Sequence, residues 1–189
     1  MKKLFPLVSR TVVALIAGGL CLGVSAQAAQ KKEETKPSPS ASASTSKSPA
    51  TAALSAKDKS FMKDAAQGGM MEVDMGKMAQ QKGKSADVKK IGDTMVADHT
   101  KANNELMGIA KKKGVDLSKE KGKMEKLNDA NFDKEYVNAM VKDHEKDYAA
   151  FQAEAKNGSD ADVKAFASKT SAVIKKHLDM VKAAQAKMK

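Results

Sequence analysis

Apolar side chains recur at every third or fourth position in four long stretches of the chain. The pattern predicts four amphipathic helices, over about residues 56–81, 86–113, 132–156 and 160–188. No stretch has the strict alternation that is typical of a half-buried β-strand. Because the first and last connections are short and the middle one is longer, we predict an all-α fold, an antiparallel four-helix bundle.

Capping residues mark the beginnings of these helices. Ser55, with Asp58 three residues later, predicts a capping box at the first helix, and Ser159 is expected to cap the fourth. Gly83 and Ser85 mark the turn before the second helix. The pattern also predicts a short extra helix over about residues 119–127, within the middle connection.

The N-terminus has the features of a secretory signal. Two lysines and Arg10 precede an uncharged, mostly apolar run over residues 11–25, and small residues follow at Ala26 and Ala28. A membrane anchor is disfavoured because a spanning helix needs about 20 apolar residues. We therefore predict a cleaved signal peptide over residues 1–28 and a periplasmic or outer-membrane-associated protein.

A single cysteine, Cys21, raises the alternative of a lipid-anchored protein. Lipidation motifs place a leucine three positions before the cysteine and a small residue directly before it. Gly18-Gly19-Leu20 has the reverse order, so Cys21 is expected to leave with the signal peptide. The mature chain then contains no cysteine, which excludes disulfides and thiolate metal ligands.

A linker is expected between the signal peptide and the helices. Residues 29–54 are rich in Ser, Ala, Lys and Pro and have no apolar periodicity, so we predict that they are disordered. The bundle domain is predicted over residues 55–189.

The charge balance bears on possible partners. The chain has 34 basic and 23 acidic residues, and Arg10 is its only arginine. A Lys-rich exported surface favours weak contact with anionic cell-envelope polymers, with a simple solvated surface as the alternative. Nucleic acid is disfavoured as a partner because no arginine remains after export and aromatic residues are few.

The candidate chemistry lies on the apolar faces of the helices. The three histidines of the chain, His99, His144 and His177, each fall on the apolar stripe of a different helix, and Glu72 falls on the stripe of the remaining one. Counted from one end of the bundle at 1.5 Å per residue, they lie at depths of roughly 15–27 Å. One inward polar residue per helix is how bundles build metal sites, so these four are candidate ligands for one Zn, Cu or Fe ion.

Two alternatives to this metal site stay open. The first is a purely structural polar layer, in which the histidines hydrogen-bond one another and nearby acids. Asp98 and Asp143 each precede a histidine and are expected to orient a histidine on a neighbouring helix as a second shell. The second alternative adds the methionines of the first helix, where Met71, Met75 and Met78 share a face, as Cu(I) ligands, although core packing is the commoner role of such a stripe.

Short motifs stand out on all four predicted helices: Ala65-Ala66-Gln67-Gly68-Gly69, Met95-Val96-x-Asp98-His99, Phe132-Asp133-x-x-Tyr136, Met140-Val141-x-Asp143-His144, Val163-Lys164-x-Phe166-Ala167 and His177-Leu178. Together they resemble the bacterial domain-of-unknown-function family 4142, over about residues 60–185. The resemblance implies a ferritin-like four-helix bundle in an exported protein. It implies no established activity.

Three functions from different classes are consistent with these observations. The first is a non-enzymatic binding or stress-related protein with an inward His/Glu layer. The second is a metal-dependent oxidoreductase-like protein of the ferritin-like group, which is disfavoured because no Glu-x-x-His pair of a di-iron centre is present. The third is an envelope-associated basic spacer. No catalytic residue is predicted, and neither a substrate nor an oligomeric state is indicated.

Overall fold

Four long helices make up most of the part of the chain that the structure, a computed structural model, describes, which is residues 54–124 and 126–188. The helices are α1 (Ala56–Lys82), α2 (Ala86–Lys112), α3 (Phe132–Asn157) and α4 (Ala161–Ala186), and a short 3₁₀ helix, Asp129–Asn131, precedes α3. These residues include no strand, so the predicted all-helical fold is confirmed. The predicted signal peptide and all of the predicted linker except Leu54 lie outside the described residues.

Side-chain caps define where the helices begin. Ser55 and Asp58 form the predicted capping box: the Ser55 hydroxyl accepts the Asp58 N–H at 3.1 Å, and the Asp58 carboxylate accepts the Ser55 N–H at 2.8 Å. Ser85, which the sequence placed in the turn, also caps α2. At α4 the prediction was wrong, because Asp160 and not Ser159 accepts the first free N–H groups. A carboxylate at this position also interacts favourably with the positive end of the helix dipole.

The buried side chains form two apolar clusters. The first apolar cluster includes Met75, Ala79, Val88, Ile91, Met95, Phe132, Tyr136, Met140, Val181 and Ala184. The second apolar cluster includes Phe61, Met62, Ala66, Leu106, Ala110, Phe151, Val163, Phe166 and Ile174. Along α1 and α4 the chain passes from the second cluster to the first, and along α2 and α3 it passes from the first to the second.

The connection between α2 and α3 runs from one end of the bundle to the other. At the start of α3, the Asp133 carboxylate accepts the N–H groups of Lys84 and Ser85, in the turn between α1 and α2, at 2.9 and 2.8 Å. At the opposite end, Lys113 follows α2 and pairs with Asp160 at the start of α4, at 2.7 Å. The two short turns therefore lie at opposite ends.

This placement corrects the depths expected from the sequence, which were counted as if both short turns lay at the same end. Counted instead from the end that holds the α1–α2 turn, Glu72, His99, His144 and His177 lie about 13–20 Å deep. The four residues are thus closer to one level than the sequence count indicated. This level lies between the two apolar clusters.

The middle connection does not contain the predicted extra helix. Residues 119–124, 126 and 127 have no helical structure, and the described part of the connection contains one short helix, the 3₁₀ turn at Asp129–Asn131. Gly122 packs its backbone against α1 at Met70 and Met71, where a Cβ atom would clash with the Met71 backbone. A short isolated helical turn is marginal alone, which is consistent with its absence from these residues.

None of the helices in the described part of the chain is both long and apolar enough to span a bilayer.

Candidate metal centre

A polar layer crosses the bundle between the two apolar clusters. This histidine layer consists of Glu72 on α1, His99 on α2, His144 on α3 and His177 on α4, and each side chain is 5% exposed or less. Each residue occupies a position of the apolar stripe of its helix, so the helical period that builds the core also brings the four side chains together. The sequence predicted all four residues of the layer.

Carboxylates orient two of the histidines. His99 Nδ1 lies 2.9 Å from Glu72 Oε2, and His177 Nε2 lies 2.9 Å from Asp98 Oδ2. When ionised, a carboxylate only accepts hydrogen bonds, and each contact then requires a proton on the ring nitrogen. Carboxylate–histidine pairs of this kind commonly fix the rings of metal ligands. Glu72, a candidate ligand from the sequence, contacts His99 in this way.

The third histidine is oriented by the main chain. His144 Nδ1 donates to the carbonyl oxygen of Met140, one turn earlier on α3, at 2.9 Å. Glu72 Oε1 lies 3.3 Å from the same nitrogen. Its proton is thus held at Nδ1, and His144 Nε2 keeps its lone pair. This lone pair faces His177 Nδ1 at 3.4 Å.

With protons at these positions, the nitrogens that keep a lone pair are His99 Nε2, His144 Nε2 and His177 Nδ1. One ring nitrogen from each histidine lies within 4.8 Å of the other two, and the buried His99 Nε2 has no hydrogen-bond partner among the described residues. In a tetrahedral site with metal–nitrogen bonds of about 2.05 Å, ligand nitrogens are separated by about 3.3 Å. The His144–His177 separation already matches this value.

Burial keeps the three rings neutral. Loss of solvation lowers the pKa of His99 and of His144 to about 4, against 6.5 in water. Burial also lowers the pKa of His177, with Asp98 acting in the opposite direction. Neutral imidazole is the form that binds metal ions. Burial raises the pKa of Glu72 to about 7, although His144 and His177 oppose the shift.

Comparison with known protein families assigns the chain to one family. A family model described as Domain of unknown function (DUF4142) matches residues 43–184. The chain belongs to this family. The match confirms the resemblance that the sequence motifs indicated. No curated protein and no solved structure matches the chain.

The repeated Asp-His motif of this DUF4142 protein has two different environments. Asp98 on α2 contacts His177, a histidine of a neighbouring helix. This fits helix geometry, because a residue adjacent to an inward histidine points away from that histidine. Asp143 on α3 instead lines a groove between α1 and α3 and contributes to raising the pKa of Glu72. The two motifs are alike in sequence, but only Asp98 is placed on a ring nitrogen by a described hydrogen bond.

Sequence reasoning missed Asp147, one turn after His144 on α3. Burial, together with the nearby Glu72 and Asp143, raises the pKa of Asp147 to about 7. Asp147, Glu72 and His99 line a cavity of about 10 Å³, which is close to the volume needed for one water molecule. The His-x-x-Asp spacing was the available signal, because residues three apart share a helix face.

The methionines of α1 pack in the core of this DUF4142 domain. Met75 is buried within the first apolar cluster, and Met71 and Met78 pack against it. Their shared face thus has the packing role that is commoner for such stripes.

A cleft between α2 and α4 leads from the surface to the histidine layer. The α2–α4 cleft has a volume of about 90 Å³ and is lined by Asp98, His99, Lys101, Ala102, Glu105, Lys169, Thr170, Val173, Ile174 and His177. Two of the three histidines therefore border the same opening. His144 is fully buried behind them.

Proposed function

We propose that this protein is exported and binds one transition-metal ion through His99, His144 and His177. The observation that carries the proposal is the close cluster of three buried histidines, in which one ring nitrogen of each lies within 4.8 Å of the other two. Met140, Asp98 and Glu72 each contact a ring nitrogen and orient these rings. His144 Nε2 and His177 Nδ1 lie 3.4 Å apart, within hydrogen-bond distance. A metal ion bonded to both nitrogens would hold them at about the same separation.

The donor set narrows the choice of metal. Three imidazoles suit Zn, Cu or Fe, and Zn sites with three protein ligands commonly keep a fourth position for water or substrate. A ferritin-type di-iron centre needs glutamates and histidines in pairs. Here the layer contains one glutamate, and that glutamate already accepts the N–H of His99. We therefore favour a mononuclear site in a binding protein over di-iron redox chemistry.

We also infer a ferritin-like arrangement of the helices. Ferritin-like bundles have one long crossover connection, and the connection from α2 to α3 has this character because it joins opposite ends of the bundle. The predicted signal peptide over residues 1–28 supports export to the periplasm, where the ion would be acquired.

The direct test is metal content. Mature protein is purified from the periplasm without an affinity tag or added metal and is analysed for transition metals, beside a His99→Ala/His144→Ala double variant. We expect about one ion per chain in the wild type and none in the double variant. Met95→Ala is the matched control, because it truncates a buried side chain one turn before His99 without removing a ligand.

The control separates loss of the site from loss of the fold. Met95→Ala is expected to lose stability by about 2–5 kcal/mol, as buried Met→Ala changes do, while keeping its metal. A wild-type protein that stays metal-free, even after incubation with Zn²⁺, Cu²⁺ and Fe²⁺, contradicts the proposal and leaves the layer as core structure.

A further inference from the structure

We propose, on the basis of the metal site inferred above, that the bound ion keeps one coordination position open to the α2–α4 cleft and there binds a small anion. The cleft is bordered by two of the three ligand histidines, His99 and His177. The third, His144, is fully buried. The nearest route from solvent to an ion held by the three rings therefore passes through this cleft.

The fourth position is not filled by a side chain in this arrangement. Three nitrogen ligands leave one position of a tetrahedral ion unoccupied. The Glu72 carboxylate is directed at the Nδ1 edges of His99 and His144, at 2.9 and 3.3 Å. The cleft lies instead beside Asp98 and His177, which line it. Glu72 thus orients the rings and leaves the cleft side free.

The cleft determines what can reach the ion. Its volume of about 90 Å³ accepts a few water molecules or a ligand of a few non-hydrogen atoms. Ala102, Val173 and Ile174 make much of its wall apolar. Three neutral imidazoles do not cancel the charge of a divalent ion, so an anion gains more than a neutral ligand in this weakly solvated position.

An ion pair crosses the cleft between its two helices. Lys169 on α4 contacts Glu105 on α2 at 2.6 Å. Lys101 is a second cation of the lining. Asp98 and Glu105 also line the cleft, so its formal charges cancel and the attraction for an anion comes from the ion itself. The expected ligand class is therefore a compact anion that coordinates through one atom, with hydroxide as the simplest member.

The test uses Co²⁺ as the metal and azide as the anion. The full mature protein is loaded with Co²⁺, the visible bands of the ion are recorded, and azide is titrated. Val173→Trp places a large ring in the cleft wall, and Ala172→Trp is the matched control, because the neighbouring residue is exposed and does not line the cleft.

We expect azide to shift the cobalt bands of the wild type and of Ala172→Trp with similar affinity. In Val173→Trp the azide dissociation constant should rise about tenfold or more while Co²⁺ stoichiometry stays at the wild-type value. A loaded wild type with no azide response, or equal azide affinity in Val173→Trp, overturns the open position and leaves the metal site standing. Failure to bind Co²⁺ at all overturns both this inference and the proposed function.

Discussion

Two buried polar clusters of the bundle differ in how their polar atoms are satisfied. At the end of the bundle that holds the α3–α4 turn, Asp58 and Glu154 are 0% and 2% exposed. The Asp58 carboxylate accepts the N–H groups of Ser55 and Ser159, each at 2.8 Å, and is hydrogen-bonded to Glu154. In the histidine layer, the buried His99 Nε2 has no hydrogen-bond partner among the described residues.

The difference contrasts a polar cluster that joins helix ends with one that we propose binds a metal ion. Burial alone would raise the pKa of Asp58, but the N–H donors of Ser159 and Ser55 outweigh it and hold the pKa at about 2. Burial and the adjacent Asp58 raise the pKa of Glu154 to about 7, so the pair shares one proton. The pair joins the start of α1 to the end of α3, and of its four carboxylate oxygens only Glu154 Oε1 is buried without a hydrogen-bond partner among the described residues.

The largest expected effect breaks the acid pair. Asp58→Ala removes the capping box and the acceptor of the Ser159 N–H, and we expect it to lower the free energy of unfolding by about 2–4 kcal/mol. Asp74→Ala, an exposed acid on the same helix, should change it by less than about 0.5 kcal/mol. Urea unfolding measures both. Equal effects of the two variants would show that the buried pair is not structural.

Metal binding is expected to stabilise the fold, and to do so only through the histidine layer. At a free metal concentration 100 times the dissociation constant, binding adds about 2.7 kcal/mol to the free energy of unfolding. A chelator should remove this increment from the wild type and from Asp58→Ala, but His144→Ala should show none. Thermal unfolding with and without metal checks the prediction, and an increment retained in His144→Ala would contradict it.

The two aspartates of the repeated motif sharpen the comparison further. Asp98→Ala removes the acceptor that orients His177, so the metal dissociation constant should rise by about 10–100-fold. Asp143→Ala should have a smaller effect, because each outward ring nitrogen has its acceptor elsewhere. Competition with a chromophoric chelator measures both constants. A larger effect of Asp143→Ala would mean that the orientation of the rings has been misassigned.

The smallest expected effect is on pH dependence. Glu154, with a pKa of about 7 when folded and 4.5 in water, stabilises the fold fully below pH 4.5 and loses this contribution as the pH rises through 7. His99 and His144, with pKa values lowered from 6.5 to about 4, act in the opposite direction, because their contribution is lost as the pH falls below 6.5.

The two contributions oppose each other over the same pH range, so one variant can separate them. Glu154→Gln keeps a neutral partner for Asp58. It also removes the loss of stability that ionisation of Glu154 causes as the pH rises. We expect metal-free Glu154→Gln to lose stability more steeply than the wild type on acidification from about pH 7 to pH 5. Urea midpoints across this range provide the measurement, and identical slopes would exclude a shared proton at Glu154.

Most of the fold could be predicted from the sequence because local signals determine it. Helix boundaries fell within about two residues of the predicted ones, as the apolar period and the caps at Ser55 and Ser85 are local features. The direction of the middle connection could not be predicted. It depends on long-range contacts, such as Asp133 with the α1–α2 turn, which leave no local pattern.

The candidate site was predictable as a set of residues but not as a geometry. The helical period placed Glu72 and the histidines on inward faces. The period does not say which ring nitrogen meets which acceptor, so the orienting role of Glu72 appears only with the contacts. Glu154 was missed because a glutamate near a helix end is usually solvated, and its burial depends on Asp58, distant in sequence.

The histidine layer draws its ligands from both helical hairpins: His99 from the first, and His144 and His177 from the second. A bound ion would therefore tie the hairpins together, as a disulfide does in many exported domains. The residues after Cys21 include no cysteine with which to make such a bond. The cross-link would be reversible, and separation of the hairpins would slow when metal is plentiful and quicken when it is scarce. The lifetime of the folded domain would then report the metal supply of its compartment.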